Sequence, residues 1–240
     1  MSGYDTAGKI QNTYASARRE FGVDPAFWIR YFNPSPAADL FSDDAVAESQ
    51  GAWDSGGHYV GCISAPRQSR LSGSAAEGQA DAQAFCASML AAYHAVGPLR
   101  LPSTGRLYCW LDQEYSTSLS SDYWDAWAHY IAEYDFAGRG IYPLYPGLYC
   151  DPYSPYPNCS TIAKVRGVDK PSAIWSSEPE PCGSLAKPPH WHPDECPAVG
   201  TRLWQYAEQD ACHLSSNVDL DVGGPGFVMA GFCFHVSSRP

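Results

Sequence analysis

Two acidic residues follow the most strand-like run of the sequence. The run 106–111 (Arg-Leu-Tyr-Cys-Trp-Leu) leads directly into Asp112, and Glu114 stands two positions further on. On a β-strand, residues i and i+2 point to the same face. Two carboxyl groups held close by a buried strand repel each other, and burial raises the pKa of at least one. One can then act as a general acid beside an ionised partner, which is the pair that glycosidic bond cleavage requires. Two surface acids in turn or capping roles are the alternative interpretation.

Three further acids stand near the two ends of the sequence. Asp5 belongs to the opening segment Gly-Tyr-Asp-Thr, where an aspartate could also cap a helix. Asp219 and Asp221 alternate with the apolar residues of segment 218–222, so both acids share one face of a strand. Taken alone, this second pattern is typical of an edge strand with a solvated polar face.

Strand-like and helix-like segments alternate around these acids. Aromatic and β-branched runs predict strands at 27–32, 58–63, 106–111, 140–149, 172–175, 202–206 and 218–222. Apolar residues at helical spacing predict helices over about 76–96 and 121–136. This alternation predicts βα units around a parallel sheet. The carboxyl end of such a strand opens on the usual active-site mouth of an α/β barrel, and there the pattern places Asp112 and Glu114.

Composition excludes several classes of protein. The chain has 240 residues, of which 45% are hydrophobic and 14% aromatic, and this argues against a disordered chain. The net charge of −11 disfavours nucleic acid and anionic lipid as partners. No apolar run is long enough to predict a membrane span, and the first residues show no signal-peptide pattern. We predict one domain over 1–240, with 151–200 as a long loop region rich in Cys and Pro.

The cysteines point to an oxidising compartment. Four of the nine, Cys150, Cys159, Cys182 and Cys196, lie in the Pro-rich stretch 143–200, a pattern typical of secreted regions. We predict the pairs Cys150–Cys159 and Cys182–Cys196, although spacing alone does not fix connectivity. Two histidines at 190 and 192 would complete a set of zinc ligand types, but the spacing is not a common finger pattern. The interpretation is a disulfide and no metal, at an extracytoplasmic or secreted address.

Five short motifs occur in an order that resembles the family 25 glycoside hydrolases, the lysozyme-type muramidases, and the related glycoside-hydrolase-like domains. By this resemblance, Asp5, Asp112, Glu114 and Asp219 match the family's acidic active-site positions. The sequence departs from the family at Asp221, where asparagine is usual, and in the insertion 150–200. The motifs are Gly-Tyr-Asp at 3–5, Arg-Tyr-Phe at 30–32, Leu-Asp-Gln-Glu at 111–114, Leu-Trp-Gln-Tyr at 203–206 and Val-Asp-Leu-Asp-Val at 218–222.

The resemblance implies an α/β fold, namely an irregular (β/α) TIM-like barrel with a strand-rich second half. It implies cleavage of the β-1,4 bond between N-acetylmuramic acid and N-acetylglucosamine in peptidoglycan, without a metal or organic cofactor. Glu114 would be the general acid. Asp112 would orient the substrate's N-acetyl group or stabilise the positive intermediate that this group forms. Asp5 and Asp219 would shape the electric field and bind sugar hydroxyls.

Several side chains are candidates for binding the glycan. Tyr149, Trp175 and Tyr206 stand at predicted strand ends, where aromatic rings can stack on sugar rings, although ordinary core packing is the alternative. Asp221 is a further candidate on the same face as Asp219. Arg30 could bind a carboxylate such as the lactyl group of muramic acid, or form a salt bridge to a barrel acid. Two other functions stay open: a barrel that binds glycan or another partner without cleaving it, and a hydrolase of another N-acetylated polymer such as chitin.

Overall fold

The structure, a computed structural model, describes residues 1–33, 38–102, 106–114, 118–136, 144–151, 171–178, 182–193, 196, 199–228 and 233–240. Cys159, most of the loop region 151–200 and the predicted strand start at 140–143 lie outside these ranges. The described residues form strands β1 to β10 and helices α1 to α4. The strands are Ser2–Asp5, Trp28–Asn33, Tyr59–Ser64, Leu99–Arg100, Leu107–Asp112, Leu144–Cys150, Ile174–Ser177, Thr201–Ala207, Asp219–Gly223 and Phe234–Val236, and the helices are Ile10–Phe21, Ala45–Asp54, Ala75–Ala95 and Ser121–Glu133.

Eight of the strands close into a barrel. Their order is β2-β1-β9-β8-β7-β6-β5-β3, and β2 pairs with β3 to complete the circle. All neighbours are parallel except β9, which runs antiparallel to both β8 and β1. Strands β10 and β4 extend the sheet outward from β3. The predicted irregular α/β barrel is therefore confirmed, with seven strand carboxyl ends and the amino end of β9 at one rim.

Alternation along the strands produces two apolar cores. Outward-facing residues pack against the helices, and inward-facing residues fill the barrel beneath its rim. Gly147 on β6 makes room for the Trp110 ring, because a Cβ at this glycine would lie 2.4 Å from that ring. The inner core contains Phe27, Ile29, Ile63, Tyr108, Trp110, Ala173, Trp175 and Leu203.

The two predicted helices form where their apolar spacing placed them. Helix α3 begins after Ser74, whose side chain accepts a hydrogen bond from the Glu77 backbone in a reciprocal capping box, and it buries Phe85 and Met89. Helix α4 begins after the capping residue Ser120 and ends at Glu133, three residues before the predicted end. Helices α1 and α2, which the sequence patterns did not reveal, precede them. No helix in the described part of the chain combines the length and hydropathy needed to cross a bilayer.

The disulfide in the described part of the chain differs from the predicted pairing. Cys182 is bonded to Cys212, so the predicted pair Cys182–Cys196 is wrong. Cys212 lies in the connection between β8 and β9, which folds back over the segment that follows β7. The bond therefore joins two segments that follow neighbouring strands of the barrel.

Candidate active site

The acids that were predicted from opposite ends of the sequence meet at the rim of the barrel. Asp5 ends β1 and Asp112 ends β5, whereas Asp219 begins β9. Because β9 is antiparallel to β1, Asp219 lies opposite Asp5 in the strand register. A cavity of about 140 Å³ opens between them. Its lining includes Asp5, Thr6, Tyr31, Glu208, Gln209, Asp210, Asn217 and Asp219.

Gln205 on β8 organises the two acids beside this cavity. Its Nε2 donates hydrogen bonds to Oδ2 of Asp5 at 3.0 Å and to Oδ2 of Asp219 at 3.3 Å. Its Oε1 accepts a hydrogen bond from the Tyr149 hydroxyl at 2.8 Å and one from Ser177 at 3.2 Å. An amide oxygen accepts and an amide nitrogen donates, so these donors fix which way the Gln205 amide points. The amide thus presents both of its hydrogens to carboxylates.

Asp112 and Glu114 lie at the other side of the rim and are held by Gln68. The Gln68 amide donates to the Asp112 carbonyl at 3.2 Å and accepts from the Glu114 backbone N–H at 3.1 Å. Asp112 is buried, and its Oδ1 has no hydrogen-bond partner among the described residues. The Glu114 side chain is exposed. One acid is therefore desolvated, with one carboxyl oxygen that lacks a partner in the described part of the chain, while its neighbour faces solvent at the mouth.

Burial and mutual repulsion raise the pKa values of these acids. Burial is the largest cause for Asp5, whose pKa rises to about 6 although hydrogen bonds from Asp221 and Gln205 oppose the rise. Burial and the negative charge of Asp5 raise the pKa of Asp219 to about 8. The pKa of Asp112 is raised well above its ordinary value by burial, then by the charges of Glu114 and Asp5. The rim therefore holds several carboxyl groups that ionise less readily than ordinary aspartates.

These shifts predict that the protein loses stability as the pH rises. Between about pH 4 and pH 6 the folded chain holds protons at both Asp5 and Asp219 that the unfolded chain has released, and between about pH 6 and pH 8 it holds this extra proton at Asp219 alone. The free energy of unfolding should fall by about 1.4 kcal/mol per pH unit for each such proton. Urea unfolding from pH 5 to pH 8 measures this slope, and Asp219→Asn should reduce it. An unfolding free energy that rises over this range would contradict the electrostatics described here.

Two residues at the mouth were missed by the sequence analysis. The Tyr31 hydroxyl has its pKa raised well above the ordinary value by burial and then by the nearby charges of Asp112, Asp5 and Asp219. Glu208 follows β8, and its pKa is raised by burial and by the charge of Asp210 before that of Glu114. Alternation could have indicated Tyr31, because it stands two residues after the inward-facing Ile29. No sequence signal marked Glu208.

Two predicted binding residues point away from the mouth. Arg30 is fully buried on the outer side of the barrel, where its Nη2 lies 2.8 Å from Oε1 of Glu48 on α2. The expected contact with a substrate carboxylate is wrong, and the ion pair is made with a helix residue rather than a barrel acid. Tyr206 also faces outward, packing in the outer core and donating its hydroxyl proton to the Ser184 carbonyl at 3.1 Å. Its assignment to the cleft is wrong because β8 turns Gln205 inward instead.

Two other predicted binding residues lie beneath the cavity. Trp175 is 1% exposed and its indole N–H donates to Oδ1 of Asp221 at 2.9 Å. Asp221 is fully buried, so neither side chain is placed to contact a sugar. Tyr149 is partly exposed, and its ring packs edge-on against Trp175 at 4.5 Å between centroids. Of the predicted aromatic residues, Tyr149 alone reaches the rim, and its role in sugar binding stays a prediction.

The alternative zinc constellation is not assembled. Cys182 is committed to its disulfide with Cys212. Among the described residues, no cluster of three or more His, Cys, Asp or Glu side chains is arranged to hold a metal ion.

The geometry defines an α/β barrel with buried acids gathered at the carboxyl rim, and solved structures share this fold. No protein-family model and no curated protein matches the sequence. An uncharacterized B. stearothermophilus protein has a TM-score of 0.68 and 21% identity, over 96% of this chain and 99% of its own. The Clostridium perfringens spore cortex lytic enzyme SleM has a TM-score of 0.54 and 15% identity, over 96% of this chain and 69% of its own. The Cpl-1 endolysin, solved with a peptidoglycan analogue, has a TM-score of 0.51 and 15% identity, over 93% of this chain and 54% of its own. The chain therefore shares the barrel fold of these solved structures.

Proposed function

We propose that the protein is a cell-wall glycoside hydrolase that cleaves the β-1,4 bond between N-acetylmuramic acid and N-acetylglucosamine. The observation that carries the proposal is the meeting of Asp5, Asp112 and Asp219 at one rim, with Glu114 exposed beside them. The likeness of the fold to an endolysin and a cortex lytic enzyme supports it. Carboxyl groups in unlike environments are the equipment that glycosidic cleavage needs.

Glu114 is the proposed general acid. Its side chain is exposed at the mouth, where a leaving oxygen of a bound glycan can reach it. Glu114 gives its proton to that oxygen as the bond between the oxygen and the anomeric carbon breaks. The substrate's own acetamide oxygen forms a bond to the anomeric carbon from the opposite face. Water then attacks the same carbon, gives a proton back to Glu114 and releases the acetamide oxygen.

Asp112 is the proposed partner of the acetamide. Its buried Oδ1 lacks a hydrogen-bond partner among the described residues, and the N–H of a bound acetamide would supply one. As the acetamide becomes positively charged, a carboxylate beside it stabilises that charge in a site shielded from water. The developing positive charge also favours the ionised form of Asp112, against the effect of burial.

Asp5 and Asp219 are proposed to bind sugar hydroxyls and to shape the field around the anomeric carbon. Both are fixed by the Gln205 amide, and Asp219 also accepts the Gln209 backbone N–H at 2.5 Å. Carboxyl groups pre-oriented in this way need no rearrangement when positive charge develops on the sugar. The charge of Glu208 also acts on Asp5 and adds to the negative potential of the mouth.

The proposed place of action is outside the cytoplasm. The Cys182–Cys212 disulfide supports this, because disulfides persist in oxidising compartments and are rare in a reducing cytosol. Peptidoglycan is the proposed partner, and one domain over residues 1–240 remains our prediction for the organisation of the chain.

Loss of turbidity in a suspension of purified cell walls tests the proposal. We expect the protein to clear the suspension and to release soluble fragments, because cleavage of the glycan strand breaks the wall polymer. Co-sedimentation with walls that stay turbid would instead favour a barrel that binds glycan without cleaving it. Clearing of colloidal chitin in place of cell walls would favour a hydrolase of another N-acetylated polymer.

A further inference from the structure

Beneath the cavity, two carboxyl groups touch each other inside the barrel. Asp221 lies on β9 with its side chain fully buried, and its carboxyl group is hydrogen-bonded to that of Asp5 on β1. The strand register explains the contact. Asp221 is opposite Gly3, and Asp5 stands two residues further along β1 on the same face, so the two acids are diagonal neighbours across the strand pair.

The remaining contacts of Asp221 restrict where a proton can be. Oδ1 accepts the indole N–H of Trp175 at 2.9 Å. Oδ2 meets no hydrogen-bond donor among the described residues. Asp5 already accepts the Gln205 amide on its Oδ2. Two ionised carboxylates only accept hydrogen bonds, so a bond between them requires that one carries a proton.

We propose that Asp221 is a positioning residue that remains protonated and donates its proton to the Asp5 carboxylate, which it thereby fixes at the floor of the candidate active site. Each of the two acids accepts one N–H donor, so the proton belongs on Asp221 because Asp5 lines the cavity, whereas Asp221 is fully buried beneath it. Asp221 thus acts as a neutral hydrogen-bond donor, the function an amide would have. The catalytic part of this inference rests on the proposed function, and the protonation state does not.

The charged groups around the pair favour the same assignment. Burial is the largest cause that raises the pKa of Asp221, followed by the charge of Asp5 on β1 and then that of Asp219 on β9. Tyr206 on β8 adds no charge, because burial raises the pKa of its hydroxyl. Arg30 on β2 favours the ionised form of Asp5, while Glu208 after β8 opposes it. Trp175 on β7 adds no charge.

Two uncharged variants of Asp221 distinguish the loss of its hydrogen-bond donor from the loss of its ionisable group. Asp221→Asn keeps a donor for Asp5 and an acceptor for Trp175, whereas Asp221→Leu has a similar size and neither. We expect Asp221→Leu to lower the clearing rate about a hundredfold, because Asp5 is then free to turn away from its productive position. We expect Asp221→Asn to restore most of that loss. If the asparagine variant is as slow as the leucine variant, a neutral donor does not suffice and the proposal is overturned.

Infrared difference spectroscopy tests the protonation state without any substrate. At pH 7 the spectrum of the protein minus that of Asp221→Asn should contain the carbonyl band of one protonated carboxyl group. A band of an ionised carboxylate in its place would overturn the proposal. The spectrum does not depend on activity, so a protein that fails to clear cell walls but shows the protonated band would refute the proposed function and leave this inference standing.

Discussion

Replacing Glu114 with glutamine is expected to lower the rate of cell-wall clearing by a factor on the order of 10³. The amide has nearly the same shape but has no proton to give to the leaving oxygen. The exposed side chain makes no packing contribution to a core, so the variant should unfold within about 0.5 kcal/mol of the original protein. Clearing rates and urea unfolding, measured on the same preparation, separate lost chemistry from lost structure.

Glu133→Gln is the matched control for this variant. Glu133 ends helix α4, and its exposed carboxyl lies 3.3 Å from the His129 ring, so the substitution makes the same change of charge away from the mouth. We expect its clearing rate to equal that of the original protein. A Glu114→Gln variant that also clears at the original rate would show that another group protonates the leaving oxygen.

Replacing Arg30 with methionine is expected to lower the free energy of unfolding by about 3–5 kcal/mol. The guanidinium contacts Glu48 through two hydrogen bonds, at 2.8 and 3.2 Å, and both side chains are fully buried. The same guanidinium donates to the backbone carbonyls of Thr6 and Asp39. Methionine fills similar space but leaves the Glu48 carboxylate buried without its positive partner. Urea unfolding measures the loss.

The double variant Arg30→Met with Glu48→Gln serves as the control for the buried charge. Glutamine keeps an oxygen for the Ile10 backbone N–H, which Glu48 now accepts at 2.9 Å at the start of α1. Because no uncompensated charge remains, the double variant should recover a large part of the lost stability. A single variant that loses less than about 1 kcal/mol would mean that Glu48 finds another partner or becomes protonated at little cost.

The sequence predicted those parts of the barrel whose local pattern agrees with the final fold. Strand β5 was predicted within one residue because apolar residues fill it from Leu107 to Leu111. Helix α1 was missed because its buried positions are Ile10, Thr13 and Ala17, only one of which is a large apolar residue. Helix α2 was missed because its buried face includes Glu48 and other polar residues. The partner that permits this burial, Arg30, lies on a different element.

The candidate site was predictable as a set of acids, and its supporting contacts were not. Alternation placed Asp219 and Asp221 on one face of β9, as the structure shows, but a strand pattern does not distinguish a solvated face from a barrel interior. Gln205 was part of a recognised motif, yet its contact with Asp5 spans 200 residues of sequence. Cys212 was not paired with Cys182 because the predicted pairs were drawn from the four cysteines of the Pro-rich stretch 143–200, and Cys212 lies outside it. Such contacts arise from the closure of the barrel.

The reducing ends of digested peptidoglycan test the central claim most directly. Purified walls are incubated with the protein, reduced with borohydride and hydrolysed, so that each newly formed reducing sugar is recovered as its alcohol. If the acids at 5, 112, 114 and 219 act together as proposed, the alcohol of muramic acid should increase with time, and the Glu114→Gln digest should contain almost none. The account would be contradicted if only the alcohol of glucosamine increased. It would also be contradicted if walls that bind the protein gave no new reducing ends.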